Sequence, residues 1–180
     1  ALAYAAGHNE NPEVVLVLLD AGANLDVRNS WQETPLMYAV KWNGNPDVAR
    51  VLAEAGADVE SRDSNGLTPL LWAAWRRDVP DVVRVLIQAG ADLEAHDVND
   101  RMTPLMKAAA WSGAELVRVL IDAGANLEAR DVGAMTPLMH AATRNAADVV
   151  RVLIDAGANL EARNVHGYTP LAYAAEFNRN

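Results

Sequence analysis

Four histidines, His8, His96, His140 and His166, are the side chains best suited to metal binding or proton transfer, and their spacing serves neither. No two share one helical face, and there is no His-Glu-x-x-His. The four serines, Ser30, Ser61, Ser64 and Ser112, stand in turn-like stretches, none of them inside Gly-x-Ser-x-Gly, the turn that exposes a nucleophile. The absence of cysteine removes thiolate nucleophiles, disulfides and zinc thiolate sites, without fixing the redox compartment. No Gly-x-x-x-x-Gly-Lys or Gly-x-Gly-x-x-Gly is present to cradle phosphates. The 24 acidic residues recur with a fixed period. A catalytic carboxylate pair should break that period and occur once. The expectation is a chain with no metal, no cofactor and no catalysis. Its informative side chains are those that bind, above all ten aromatics.

The elements that position them repeat. Thr-Pro-Leu begins at Thr34, Thr68, Thr103, Thr136 and Thr169, and Ala-Gly-Ala at Ala21, Ala55, Ala89, Ala123 and Ala156. Two independent marks keep one period of 33 to 35 residues, the signature of a stacked repeat. Full units run over 29–62, 63–96, 97–130 and 131–163, with partial units at 1–28 and 164–180. Threonine caps orphan amides and proline suits a first helical turn, so each Thr-Pro predicts a helix start. The helix is short and carries small residues, as in Leu105 to Ala110. A second helix such as Ala114 to Ala123 presents Leu116, Val117, Val119, Leu120 and Ile121 on a broad apolar face. Asn11-Pro12 and Asn45-Pro46 open two second helices. Gly22, Gly56, Gly90, Gly124 and Gly157 end them, in the left-handed conformation. One unit cannot bury its apolar face alone; side by side the units share a core.

Thr-Pro-Leu-x-x-Ala, a second helix and Gly-Ala resemble the ankyrin repeat over essentially all 180 residues. The Asp or Asn that opens a family repeat matches Asn29, Asp63, Asp97, Asp131 and Asn164; the turn glycine matches only Gly66 and Gly167. The histidine usual after Thr-Pro-Leu is replaced by Met37, Leu71, Met106, Met139 and Ala172, which implies apolar packing in its place. The turn between helices is lengthened in Trp42-Asn43-Gly44-Asn45-Pro46, and residues 97–103 hold one extra residue. The resemblance implies an all-α fold, a curved ankyrin-repeat solenoid of helix-turn-helix units with projecting turns. It further implies a non-catalytic scaffold that binds a protein or peptide through its concave groove. A structural spacer in a larger protein, with function in flanking regions, is the alternative.

All ten aromatics fall in turns or first helices and none in a second helix. Trp31 and Tyr168 belong to projecting turns; Trp42, Trp75, Trp111 and Phe177 belong to first-helix ends. With Arg76 and Arg144 these are the expected concave binding residues, since tryptophan, tyrosine and arginine dominate interface energetics. Filling the wedge between turns is the competing role. Tyr38, Trp72 and Tyr173, earlier in the helix, are expected to pack between repeats.

Asp26, Glu60, Glu94, Glu128 and Glu161 form one ladder, and Arg28, Arg62, His96, Arg130 and Arg163 follow two residues later. Residues two apart in an extended stretch share a face, so the ladders are expected to neutralise each other as a solvated ion-pair network. Capture of a peptide carboxylate by the arginines is the other reading. Asp47/Arg50, Asp81/Arg84, Glu115/Arg118 and Asp148/Arg151 have helical i,i+3 spacing and read as outer-surface solubility pairs.

With 51% hydrophobic residues, a net charge of −9 and a pI near 4.8, the chain reads as a packed, acidic protein. That charge argues against nucleic acid as a partner and favours a basic protein partner. No apolar run reaches membrane-spanning length and no signal segment opens the chain, which points to the cytoplasm and away from membranes. The apolar end segments Ala1 to Ala6 and Leu171 to Ala175 could self-associate.

Overall fold

Each Thr-Pro step starts a helix because its chemistry satisfies the first turn. The backbone at Thr34, Thr103 and Thr136 is extended, and each Oγ1 accepts the N–H of the third residue on at 3.4 Å. Thr68 and Thr169 do the same at 3.3 Å. The computed structural model describes residues 1–76, 79–144 and 146–177, with Phe177 described by its backbone alone. The first helices of the units are α1 (Leu2–His8), α3 (Pro35–Tyr38), α5 (Pro69–Trp75), α7 (Pro104–Trp111), α9 (Pro137–Thr143) and α11 (Pro170–Phe177). The second helices are α2 (Pro12–Asp20), α4 (Pro46–Glu54), α6 (Pro80–Gln88), α8 (Ala114–Asp122) and α10 (Ala147–Asp155). Asn11 and Asn45 cap α2 and α4 through their side-chain oxygens at 3.0 and 2.9 Å. After α4, Gly56 (φ 94°) donates to the Ala53 carbonyl and Ala57 to the Leu52 carbonyl, both at 3.0 Å. This paired closure needs a left-handed residue between the two bonds.

The lengthened turn of the first full unit has a definite structure. From Pro35 to Pro46 the chain uses one residue more than from Pro104 to Ala114. The surplus forms a π-turn, Ala39–Asn43, closed by the Gly44 N–H on the Ala39 carbonyl at 2.9 Å. Asn43 then donates from Nδ2 to the carbonyls of Ala6 (3.0 Å) and Asn9 (2.7 Å), which fastens the widened turn to α1.

The chain divides into two compact units, residues 1–73 with 79–92, and residues 74–78 with 93–180. In the first, α1 packs on α3 and its π-turn, α2 on α4, and α4 on α6. Leu36, Met37, Leu52, Leu70, Leu71 and Leu86 are fully buried there. A Cβ at Gly7 would lie 3.1 Å from the Tyr38 ring, so the close contact of α1 with α3 depends on a missing side chain. In the second unit α9 lies between α7 and α11, and α10 packs on α8, over Leu105, Met106, Leu116, Leu120, Leu138 and Met139. Met37, Leu71, Met106 and Met139 thus do pack as apolar core.

The projecting turns each need one left-handed residue. Gly66 (φ 75°) and Gly167 (φ 80°) supply it cheaply, but Gln32 (63°), Arg101 (57°) and Ala134 (55°) hold the same conformation with a side chain. Neighbouring turns are joined edge to edge: Ser64 N–H donates to the Trp31 carbonyl at 2.8 Å, and Val132 and Val165 donate to Asp100 and Gly133 at 3.0 Å.

Two stability changes follow. Leu120→Ala, which empties a fully buried site, is expected to cost about 2–5 kcal/mol in urea unfolding. Ala134→Gly relieves the left-handed strain at the cost of a freer unfolded chain, for a net gain of about 0.5–1 kcal/mol; an unchanged or lowered midpoint would contradict the strain argument.

Candidate functional site

Within each unit the projecting turns are held by one recurring hook. The side-chain oxygen of Asn29 accepts the N–H groups of Trp31 and Glu33 at 2.9 Å, and Asp63, Asp131 and Asn164 bind the residues two and four on at 2.8–2.9 Å. Asp97, in the turn with the extra residue, takes Asp100 (3.1 Å) and Met102 (3.2 Å) instead. The second side-chain atom of each hook reaches the following first helix. Asn29 Nδ2 lies 3.2 Å from the Tyr38 hydroxyl and Asn164 Nδ2 2.7 Å from that of Tyr173. Asp63 Oδ2 accepts from Trp72 Nε1 at 3.0 Å, Asp97 Oδ2 from Lys107 Nζ at 2.7 Å, and Asp131 Oδ2 lies 2.9 Å from His140 Nε2. Carboxamides meet phenols; carboxylates meet N–H donors. Lys107 and Asp97 are both buried. Burial acts to raise the Asp97 carboxyl, but the Lys107 ammonium and two backbone N–H groups outweigh it and hold its pKa below the ordinary 3.8. Asp131 follows the same pattern: burial opposes, the His140 ring and the Met135 and Gly133 N–H groups prevail, and its pKa is lowered.

On the first unit, Trp31 is 62% exposed at a turn and Trp42 56% exposed on the π-turn. Lys41 is bound to buried Glu33 at 2.7 Å, with its ammonium 4.1 Å from the Trp72 ring centroid and 5.2 Å from that of Trp42. On the second unit, Trp75 is 46% exposed and Trp111 half-buried, their rings 6.1 Å apart and tilted by 56°. Lys107 Nζ stands 5.7 and 5.6 Å from these rings, and the exposed Arg144 guanidinium lies 5.5 Å from the Trp111 ring. Half-buried Arg76 adjoins, its carbonyl and that of Ala74 each 2.8 Å from Ser112 Oγ. Tyr168 is exposed on its turn and stacks against Tyr173 at 5.7 Å. The Phe177 side chain lies outside the described residues.

The fold thus gathers Trp75, Arg76, Trp111 and Arg144 on one unit and places Trp31 and Trp42 on the other. Lys41 and Lys107 were not expected at this surface; the signal was a lysine beside, or at, a first-helix position that elsewhere holds tyrosine, tryptophan or histidine. Tyr38, Trp72 and Tyr173 are half-buried, with their polar atoms on the hooks.

The charge ladders behave differently from the ion-pair network expected. Arg28 and Arg130 reach the carbonyls of the neighbouring turns at Arg62 (3.0 Å) and Arg163 (2.7 Å), while Glu60, Glu94 and Glu128 accept the N–H groups of Asp92, Asn126 and Asn159 at 2.8–2.9 Å. These five groups serve backbone groups of the next repeat, while Arg62 and Arg163 donate to the Gly66 and Gly167 carbonyls of their own turns at 2.7 and 2.9 Å; a fixed amide or carbonyl is a closer partner than a mobile opposite charge. Of the i,i+3 pairs, Asp47–Arg50 closes at 2.9 Å and Asp81–Arg84 at 3.6 Å on exposed faces.

An apolar cleft of about 440 Å³ in the second unit is lined by Leu138, Val150, Ile154, Leu160, Leu171 and Ala174, and by none of the expected binding residues. Among the described residues no group of three His, Asp or Glu is arranged to hold a metal ion, and no helix is long and apolar enough to cross a membrane.

The buried pair gives a pH test. Lys107→Met strands the Asp97 carboxylate and is expected to cost about 3 kcal/mol at neutral pH. The Asp97 pKa is lower in the fold than in the unfolded chain, so its contribution is full above the ordinary value and is lost as pH falls through the folded one. The gap between Lys107→Met and the parent chain should therefore shrink in acid; a gap constant with pH in urea unfolding would refute the pairing.

Comparison with known proteins extends the geometry. The model for ankyrin repeats (3 copies) matches residues 2–97, 60–131, 78–164 and 130–180. Curated protein sequences gave no match. Among solved structures the chain is similar to the ankyrin repeat domain of Bcl-3, a unique member of the IkappaB protein family, with a TM-score of 0.86, 30% identity, and coverage of 96% of this chain and 76% of that one. With capped helix pairs, left-handed closures and hooked turns accounted for residue by residue, the chain belongs to the ankyrin repeat family and folds as an ankyrin-repeat solenoid.

Proposed function

We propose that this chain is a non-catalytic scaffold that binds a protein or peptide through the surface formed by its projecting turns and first-helix ends. The observation that carries the reading is the placement of the large exposed rings. Trp31, Trp42, Trp75 and Tyr168 are all more than two-fifths exposed, all stand on turns or first-helix ends, and second helices hold no aromatic. Aromatics needed for the core alone would be buried and would occur in both helix types. Rigid rings with much contact area lose little conformational entropy on binding and are enriched at hot spots. The fold, whose family serves protein interaction, supports the same reading.

The test uses a photoactivatable residue in place of Gln32, beside Trp31, to capture partners in cell extract, with each captured protein then purified. Trp75→Ala and Trp111→Ala are each expected to weaken binding of that purified partner by about 2 kcal/mol or more, while thermal unfolding stays nearly unchanged. Binding unaffected by either substitution would return the spacer reading, in which this surface recognises nothing. Unfolding by both would make the rings part of the core.

A further inference from the structure

We propose that the Trp75–Trp111–Arg144 face of the second unit takes an acidic peptide segment, in which an Asp or Glu lies two positions from a large apolar residue. The inference rests on the docking reading above and gives the partner its chemistry.

Charge at this face is opposite in sign to that of the whole chain. Residues 69–76, 104–111 and 137–144 contain Arg76, Lys107, His140 and Arg144 and not one Asp or Glu. Among the described residues, Asp97 and Asp131 turn inward to Lys107 and His140, and Glu94 and Glu128 accept backbone amides. Lys107 is neutralised by Asp97 at 2.7 Å, with both side chains buried. Arg144 is exposed, and among the described residues no carboxylate stands within ion-pair distance of it. Its guanidinium lies over the Trp111 ring. A guanidinium within cation–π range of a ring still has N–H groups for a carboxylate, which they can match in bidentate fashion.

The apolar part of the site lies alongside. The Trp75 and Trp111 rings, 6.1 Å apart and inclined by 56°, pack as a tilted pair that presents one apolar patch, and the Lys107 ammonium stands within cation–π range of both. The Ser112 hydroxyl on the Ala74 and Arg76 carbonyls ties the two helix ends that carry the rings. From the Trp111 centroid to the guanidinium is 5.5 Å. In an extended peptide, residues two apart point the same way and are separated by roughly 6.6 Å. One side chain can therefore lie against the ring pair while the other reaches Arg144. The net charge of −9 favours a basic partner at long range, but the contact chemistry here selects a carboxylate.

The test selects random short peptides, displayed on phage, against the full-length chain, with Arg144→Ala as counter-selection. The expected consensus places Asp or Glu two positions from Leu, Phe or Trp. A synthetic peptide of that consensus should bind about tenfold more weakly to Arg144→Ala and to Arg144→Gln, and its Asn or Gln counterpart should lose as much on the parent chain, with the thermal midpoints of the variants unmoved. A consensus rich in Lys or Arg would overturn the proposal. So would peptides that bind both Arg144 variants as well as the parent; if those peptides are lost on Trp75→Ala, the docking surface stands and only the acidic partner falls. No enrichment, or binding indifferent to all three substitutions, would sink the proposal and the docking reading together.

Discussion

The projecting turns depend on one side chain each. Asn29, Asp63, Asp97, Asp131 and Asn164 place an oxygen on the two amides that close the turn and a second atom on the helix that follows. A free loop of this length would fluctuate, and its exposed rings would lose entropy on binding. The hook removes that freedom in advance. It also couples the turn to the helix by matched chemistry: each carboxylate faces an N–H donor and each carboxamide a phenol. Exchanging a hook residue or its helix partner alone would leave a half-buried polar atom mispaired.

Much of this was legible in the sequence because repetition reports structure directly. Thr-Pro, Asn-Pro and Gly-Ala each have one local physical meaning, and the caps and left-handed closures appear where those residues stand. The apolar side chains after Thr-Pro-Leu were readable as core for the same reason. What was not legible depends on distances between repeats. Glu60 and Arg28 are charged residues at regular spacing, and spacing cannot tell whether such a group meets an opposite charge or the backbone of the next turn; the structure shows backbone. Nor could a pattern show that Lys107 is buried, since lysine is rarely so without a partner, and Asp97 lies ten residues away across a turn lengthened by one.

Charge and shape divide the labour between the two helix types. Second helices carry acids in their first turns, as at Asp47, Asp81, Glu115 and Asp148, where the helix dipole favours them. First helices from Pro35 to Thr143 carry cations and rings and no acid. The charge of the whole chain and the charge carried by these first helices therefore differ in sign.

The π-turn at Ala39–Asn43 shows where the repeat can change length. An inserted residue at the Thr-Pro end would unseat a cap and a buried leucine together. At the exit of the first helix, the ladder widens by one bond, Gly44 closes it, and α4 still begins on its asparagine cap. One added residue in a helix rotates the chain by roughly 100°. The exit is thus a joint at which insertions re-aim a single side chain, here Trp42, while the scaffold keeps its register. An extra residue is absorbed at a point where the side chain it re-aims faces outward, Trp42 being more than half exposed, and Asn43 ties the widened turn back to α1.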